Sequence, residues 1–441
     1  MISLIVSFVS LVAIVIARIT FKRWFNHLSL YVIIWCTMIL LYDLKLFPYD
    51  DILPLTWFYI ISSCLCFIFG IFTIISARKL FPLVERNTEE SKKSVKIFVD
   101  GGTTVRYAIL FFSIISIIGA VQHWIILIEK FGSIPGVLIN ANAIYILNTR
   151  GGIKGQVPFI SNFGYVSIFF SAIYTAYNKK FTLLTFLPFL GIIIKEVATV
   201  GRAGMLLALM EFLFTFLLFR HQLNFISVRL FKFSKKNALI SFTFLIILFI
   251  TSASLVRLSR GATETYSGTN RSLSQFKDNL ILSPSLYLYL SGHIGVLNKY
   301  SQGDGENTSF GQNTFLTFYH ILDKLGVIKR SSDYQKGYFT PMWINTGTYI
   351  RELHADFGLT GVFLIPFLLG LIVTWLWYGL FKNNSLIILS IMVYLYIIIG
   401  FSFLVMITRT SYWSISLLLI IISIKVIEKI VIFVYHKRLK R

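Results

Sequence analysis

Charge is scarce in this chain. Only 14% of its residues are Asp, Glu, Lys or Arg, where a soluble domain carries about 25%. Cysteine is scarcer still: Cys36, Cys64 and Cys66 are the full set, and all three fall inside apolar runs. That placement offers neither a disulfide framework nor a four-ligand zinc site, and reads as small buried hydrophobes. The sequence also has no H-E-x-x-H, no calcium loop and no phosphate-binding G-x-x-x-x-G-K-[S/T]. The acidic pair around Asp304 and Glu306 reads as a solvated glycine turn rather than a metal site. No internal repeat is visible, which disfavours the inverted-repeat transporters. The first apolar run has no basic segment before it and no clear small-residue cleavage pattern, so it reads as a helix and not a removable signal.

What is present is apolar sequence, 56% of the chain, arranged in runs near 20 residues. At 1.5 Å per residue such runs match the roughly 30 Å hydrocarbon core of a bilayer. Short alternating segments, the mark of a membrane β-barrel, are missing. The expected fold is an all-α polytopic membrane protein with about eleven transmembrane helices. The expected spans are 2–17, 28–47, 57–76, 105–128, 158–177, 181–200, 203–219, 238–256, 359–380, 385–407 and 411–434. Residues 1–441 read as one integral membrane domain, with 257–358 as a long loop packed on it.

The net charge of +22 could suggest nucleic acid, but its distribution points to topology instead. Arg18, Lys22 and Arg23, the basic run after residue 76, Lys179 and Lys180, the run after residue 219, Lys382 and the terminal basic tail all fall on one side of the expected map. Cytoplasmic segments carry this excess. The N-terminus is thus expected outside, the C-terminus in the cytoplasm, and residues 129–156, the turn "GRAG" and the stretch 257–358 outside. The expected partners are membrane lipids and not nucleic acid.

Against that map, five arginines stand at the outer boundary. Arg202 sits within "GRAG"; Arg257 and Arg260 leave the eighth span; Arg351 precedes the ninth; Arg409 follows the tenth. Arginine near bilayer depth is costly and tends to mark a site. Its guanidinium fits phosphate oxygens through two parallel donors. The glycines of "GRAG" would let backbone approach a ligand, and the helix beginning there would aim N–H groups at an anion. The plain alternative is pairing with lipid headgroups or with acidic loop residues such as Glu264, Asp278 and Asp356. Lys195 and Glu196, beside the turn, could line a cavity or pair with each other.

The densest polar text is "NTGTYIRELHADFGLTG", residues 345–361. On a helix Arg351 and His354 share a face, as do Glu352 and Asp356. Glu352, His354 and Asp356 are the candidates for a general base. Their plain alternative is a structural role at a helix start.

The many spans, "GRAGM" at an outer turn, the long loop after the eighth span and "NTGTYIRELHADFGLTG" together resemble the Wzy-type oligosaccharide repeat-unit polymerases, which include the O-antigen polymerases. The resemblance covers most of the chain as architecture and two short stretches as motif. It implies a glycosyltransferase of the C-type superfamily in the bacterial inner membrane. Such an enzyme joins undecaprenyl-diphosphate-linked oligosaccharides on the outer face, without nucleotide sugar, metal or other cofactor, and can work with a chain-length regulator protein. It implies a diphosphate-binding role for Arg202, Arg257, Arg260 and Arg351, with Arg409 matching by location. An O-antigen ligase-like transferase would use the same arginines with another acceptor. A flippase or transporter of lipid-linked saccharides would instead carry charge through several spans.

Overall fold

The computed structural model describes residues 2–80, 97–98, 100–140, 143–144, 147, 157, 159–199, 201, 203–225, 243, 284–303, 310–328, 336–341, 343–383 and 385–439. Among them are thirteen α-helices. These are α1 (Ile2–Phe21), α2 (His27–Asp43), α3 (Pro54–Leu80), α4 (Thr103–Phe131), α5 (Ile134–Ile139), α6 (Phe163–Asn178) and α7 (Leu183–Thr199), followed by α8 (Ala203–Phe225), α9 (Pro284–Gln302), α10 (Leu316–Lys324), α11 (Tyr349–Asn383), α12 (Leu386–Phe401) and α13 (Ser411–Leu439). One two-stranded antiparallel hairpin, β1 (Tyr338–Phe339) and β2 (Trp343–Ile344), lies before α11. Each expected span coincides with a helix except 238–256, which lies outside the described residues apart from Thr243.

Among the described residues four helices are long and apolar enough to cross a membrane: Pro54–Arg78, Thr103–Phe131, Ala203–Leu223 and Tyr349–Lys382. Shorter apolar helices cover Ile5–Phe21, His27–Asp43 and Leu386–Phe401. Side-chain exposure says which solvent they are built for. On α4, Tyr107, Phe111, Ile114, Ile118, Val121 and Ile125 form an exposed stripe at three- and four-residue spacing. On α13 the same spacing exposes Leu418, Ile422 and Val426. In water such continuous apolar stripes would be an aggregation surface; against lipid they are the ordinary outer face of a bundle.

The chain forms two compact units. The first comprises Met1–Leu83, Thr263–Leu376 and Leu395–Ser411. Within it α1 packs on α2, and α9 on α2 and α3. Helices α3 and α11 meet backbone to backbone: a Cβ added to Gly70 would lie 2.0 Å from the Phe367 carbonyl oxygen, and one on Gly370 2.2 Å from that of Phe67. Small residues serve this purpose in lipid, where helices associate by close packing and not by hydrophobic exclusion. Asn26 starts α2 by accepting from Ser29 N–H at 2.9 Å, which satisfies a donor that the first helical turn leaves open.

The second unit comprises Val84–Ala262, Trp377–Tyr394 and Tyr412–Arg441. Here α4 packs on α6 and α7, and α6 on α7 and α8. The stretch 129–156 contains α5, whose Ile134 and Ile139 are exposed while Val137 is buried.

Helix α11 begins ten residues earlier than the expected ninth span, at Tyr349 rather than 359. Gly358 breaks it with φ 62° and ψ −152°, a conformation open to glycine and costly for any residue with a Cβ. The break separates a polar helical lead, 349–357, from the apolar segment that follows. That lead carries the candidate site.

Candidate functional site

The polar lead of α11 sends its side chains to four different places in the first unit. Tyr349 goes inward, where its hydroxyl meets those of Tyr31 at 2.9 Å and Ser63 at 2.8 Å. Its N–H donates to the Ser402 carbonyl at 2.9 Å, and Trp35 donates to the Ser402 hydroxyl at 3.1 Å. A polar network this deep fixes where the lead begins, because every buried group left unmatched would cost about 1–3 kcal/mol.

Arg351 is fully buried. Its guanidinium donates to the Lys336 carbonyl oxygen and stacks over two phenol rings, 5.1 Å from the centroid of Tyr338 and 5.9 Å from that of Tyr300. The ring faces carry the negative end of the aromatic quadrupole, which suits a desolvated cation. Arg351 thus ties α11 to α9 and the β-hairpin. Glu352, also buried, pairs with Arg409 and accepts from Met406 N–H. Arg409 lies in a short 3₁₀ turn, Ile407–Arg409, between α12 and α13, and Thr408 of that turn donates to the Thr314 carbonyl at 2.8 Å.

His354 is the one half-buried group among the three candidate bases. Its Nδ1 meets the Tyr300 hydroxyl at 2.7 Å and its Nε2 the Tyr59 hydroxyl at 3.3 Å. Two phenols, from α3 and α9, therefore hold the imidazole plane. Arg351 and His354 both touch Tyr300, which is the shared face that helical spacing predicts.

Asp356 is buried and accepts four hydrogen bonds: from Asn313 N–H at 3.0 Å, Asn313 Nδ2 at 2.9 Å, Thr314 N–H at 2.7 Å and the Thr314 hydroxyl at 2.8 Å. A carboxylate has about four lone-pair sites, and the 313–314 turn supplies four donors to them.

The turn "GRAG" lies in the second unit, and its surroundings correct one expectation. The N-terminus of α8 does not point a free N–H at an outside anion through Gly204: that N–H donates to Glu196 at 3.1 Å. The two glycines make room for the same carboxylate. A Cβ on Gly204 would lie 2.4 Å from the Glu196 carboxyl carbon, and one on Gly201 2.6 Å from its Oε2. Glu196 also pairs with Lys195 at 3.5 Å, and the Lys195 ammonium lies over the Tyr412 ring at 5.4 Å. The helix dipole and the ammonium both favour a carboxylate there. Arg202, Arg257 and Arg260 lie outside the described residues, as do Asp304 and Glu306.

One neighbour of the site has a displaced titration. His293 on α9 is buried, with Nε2 2.7 Å from the Tyr289 carbonyl and Nδ1 3.1 Å from the Thr346 carbonyl. Burial pushes its pKa down to about 4. The neutral ring carries a single N–H, so it donates to one of the two carbonyls, and the Thr346 hydroxyl lies 3.3 Å from Nδ1.

Sequence reasoning does not find Tyr59, Tyr300, Tyr338, Asn313 or Thr314. Nothing local marks them, since each lies between 13 and about 300 residues from its partner on α11. Among the described residues no group of three or more His, Cys, Asp and Glu is placed to hold a metal ion.

Helices with lipid-type faces and a polar, cation-bearing cluster at the opening of one of them define the class: an all-α membrane protein. Compared with protein-family models, curated proteins and solved structures, the chain has no match.

Proposed function

We propose that this protein is a membrane glycosyltransferase that polymerises oligosaccharide repeat units carried on undecaprenyl diphosphate, working at the outer face of the bacterial inner membrane. The N-terminus then lies outside and the C-terminus in the cytoplasm, with about eleven spans. Two supports carry the reading: the resemblance of "GRAGM" and "NTGTYIRELHADFGLTG" to the Wzy-type polymerases, and the structure of the second motif. The decisive observation is His354, half-buried and oriented by Tyr300 and Tyr59, one helical turn from buried Arg351.

In the proposed reaction a hydroxyl of the incoming repeat unit attacks C1 at the reducing end of the growing glycan. The hydroxyl proton passes to His354, the bond from C1 to the diphosphate oxygen breaks, and lipid diphosphate leaves with the electron pair. His354 suits the base because it alone of the three is partly exposed, whereas Glu352 is buried against Arg409 and Met406, and Asp356 against the 313–314 turn. Arg351 and Arg409 act as positioning residues with fixed charge. Direct stabilisation of the leaving diphosphate is assigned to Arg202, Arg257 and Arg260, since donors aimed at developing charge supply a large part of such catalysis. Two lipid anchors held in one plane supply orientation.

The test is polymerisation by purified protein in nanodiscs, with lipid-diphosphate-linked repeat units and a chelator present. His354→Ala should cut elongation by about 10²–10⁴-fold, the range for loss of a general base, with protein level unchanged. Arg257→Ala should do likewise. Wild-type ladders from both variants would end the proposal. Transport of lipid-linked saccharide is a second reading, favoured by one observation: Glu211 lies buried inside a candidate span.

A further inference from the structure

Glu211 belongs to α8, in the candidate span Ala203–Leu223. At 1.5 Å per residue it stands about 12 Å from the first residue of that span and about 18 Å from the last. It is fully buried, and neither carboxyl oxygen has a hydrogen-bond partner among the described residues. The groups that act on it electrostatically are phenols: Tyr394 of α12, and Tyr165 of α6, which in turn feels Glu196 and Tyr412. The Tyr394 hydroxyl lies beside both the Glu211 carboxyl and the Ser416 hydroxyl of α13. Their interactions fall short of full hydrogen-bond geometry: among the described residues the Glu211 carboxyl, the Tyr394 and Ser416 hydroxyls and that of Thr215, one turn along α8, have no well-formed hydrogen bond. All of these residues belong to the second unit.

A lone carboxylate at this depth is strongly disfavoured, and an intramembrane acid is ordinarily neutralised by a partner. Here the oxygens stand together with no cation from the described chain. A single negative charge is balanced by one positive charge, and the adjoining donors among the described residues are all oxygen, with neither sulfur nor imidazole. That set suits hard cations and not transition metals. A divalent ion would leave uncompensated charge, as no second carboxylate among the described residues joins the group.

We propose that Glu211, with Tyr394 and Ser416, forms an intramembrane site for a monovalent cation, either a proton or an alkali ion such as Na⁺. This site is independent of the glycan chemistry at α11, so its test uses no saccharide. Purified protein is assayed for saturable binding of radioactive Na⁺, and for the infrared band of a protonated carboxylic acid with its shift in D₂O. An alkali site gives Na⁺ binding that acid competes away and that Glu211→Gln lowers by at least about tenfold, or about 1.4 kcal/mol. A proton site gives no Na⁺ binding, but a carboxylic-acid band that Glu211→Gln removes. Tyr394→Phe, which keeps the ring, should weaken the first signal or shift the second, so the test survives if Glu211→Gln fails to fold. Wild-type protein with neither saturable Na⁺ binding nor a buried carboxylic-acid band overturns the proposal.

Discussion

Asp356→Ala offers the sharpest view of how the site is held. The wild-type carboxylate takes four donors, two from backbone N–H groups of residues 313 and 314 and two from their side chains. Both residues are at least nine-tenths buried. Each stranded buried donor costs about 1–3 kcal/mol, and water entering the space left by the side chain recovers part of that. A net loss of about 3 kcal/mol is a reasonable scale, equivalent to roughly a hundredfold increase in local opening. Hydrogen exchange on protein in nanodiscs reads that opening directly at residues 311–316, because exchange follows the local unfolding equilibrium. Asp356→Asn keeps an acceptor for the Asn313 pair and should show a smaller increase. If exchange in that segment changes by less than about threefold in Asp356→Ala, the carboxylate is not what holds the turn, and the division of labour that leaves His354 as base loses its footing.

Three other outcomes are expected. Glu352→Ala or Arg409→Ala alone should destabilise by about 3–5 kcal/mol by stranding a buried charge, and the double substitution by less than the sum, in thermal unfolding of each variant. Gly204→Ala should destabilise by about 1–3 kcal/mol through overlap with Glu196, and Glu196→Ala should relieve part of that cost. His293 has a folded pKa, about 4, below its ordinary 6.5, so the unfolded chain binds the proton more readily. Its contribution is intact above pH 6.5 and is lost as the pH falls towards 4, up to about 3 kcal/mol; His293→Gln should flatten this slope in a melting series.

Within the polar lead of α11, helical spacing alone pairs Arg351 with His354 and Glu352 with Asp356. The first pairing is realised on Tyr300. The second is realised only as shared burial, because Glu352 turns to Arg409 while Asp356 turns to the 313–314 turn. At "GRAG" the sequence shows glycines and a helix start but not their occupant: Glu196, from the preceding helix, fills the position where an outside anion was expected. That the stretch 257–358 packs on the membrane domain was legible, whereas the docking of its helix α9 on α2 and α3 was not.

The sequence by itself determined the helices and the solvent they face, since backbone hydrogen bonding in lipid and a 3.6-residue period are local rules written into consecutive residues. Only the tertiary structure decided which polar groups are spoken for. Partners such as Tyr59 with His354, or Arg409 with Glu352, are brought together by packing across long chain separations, and no local pattern encodes which donor meets which acceptor.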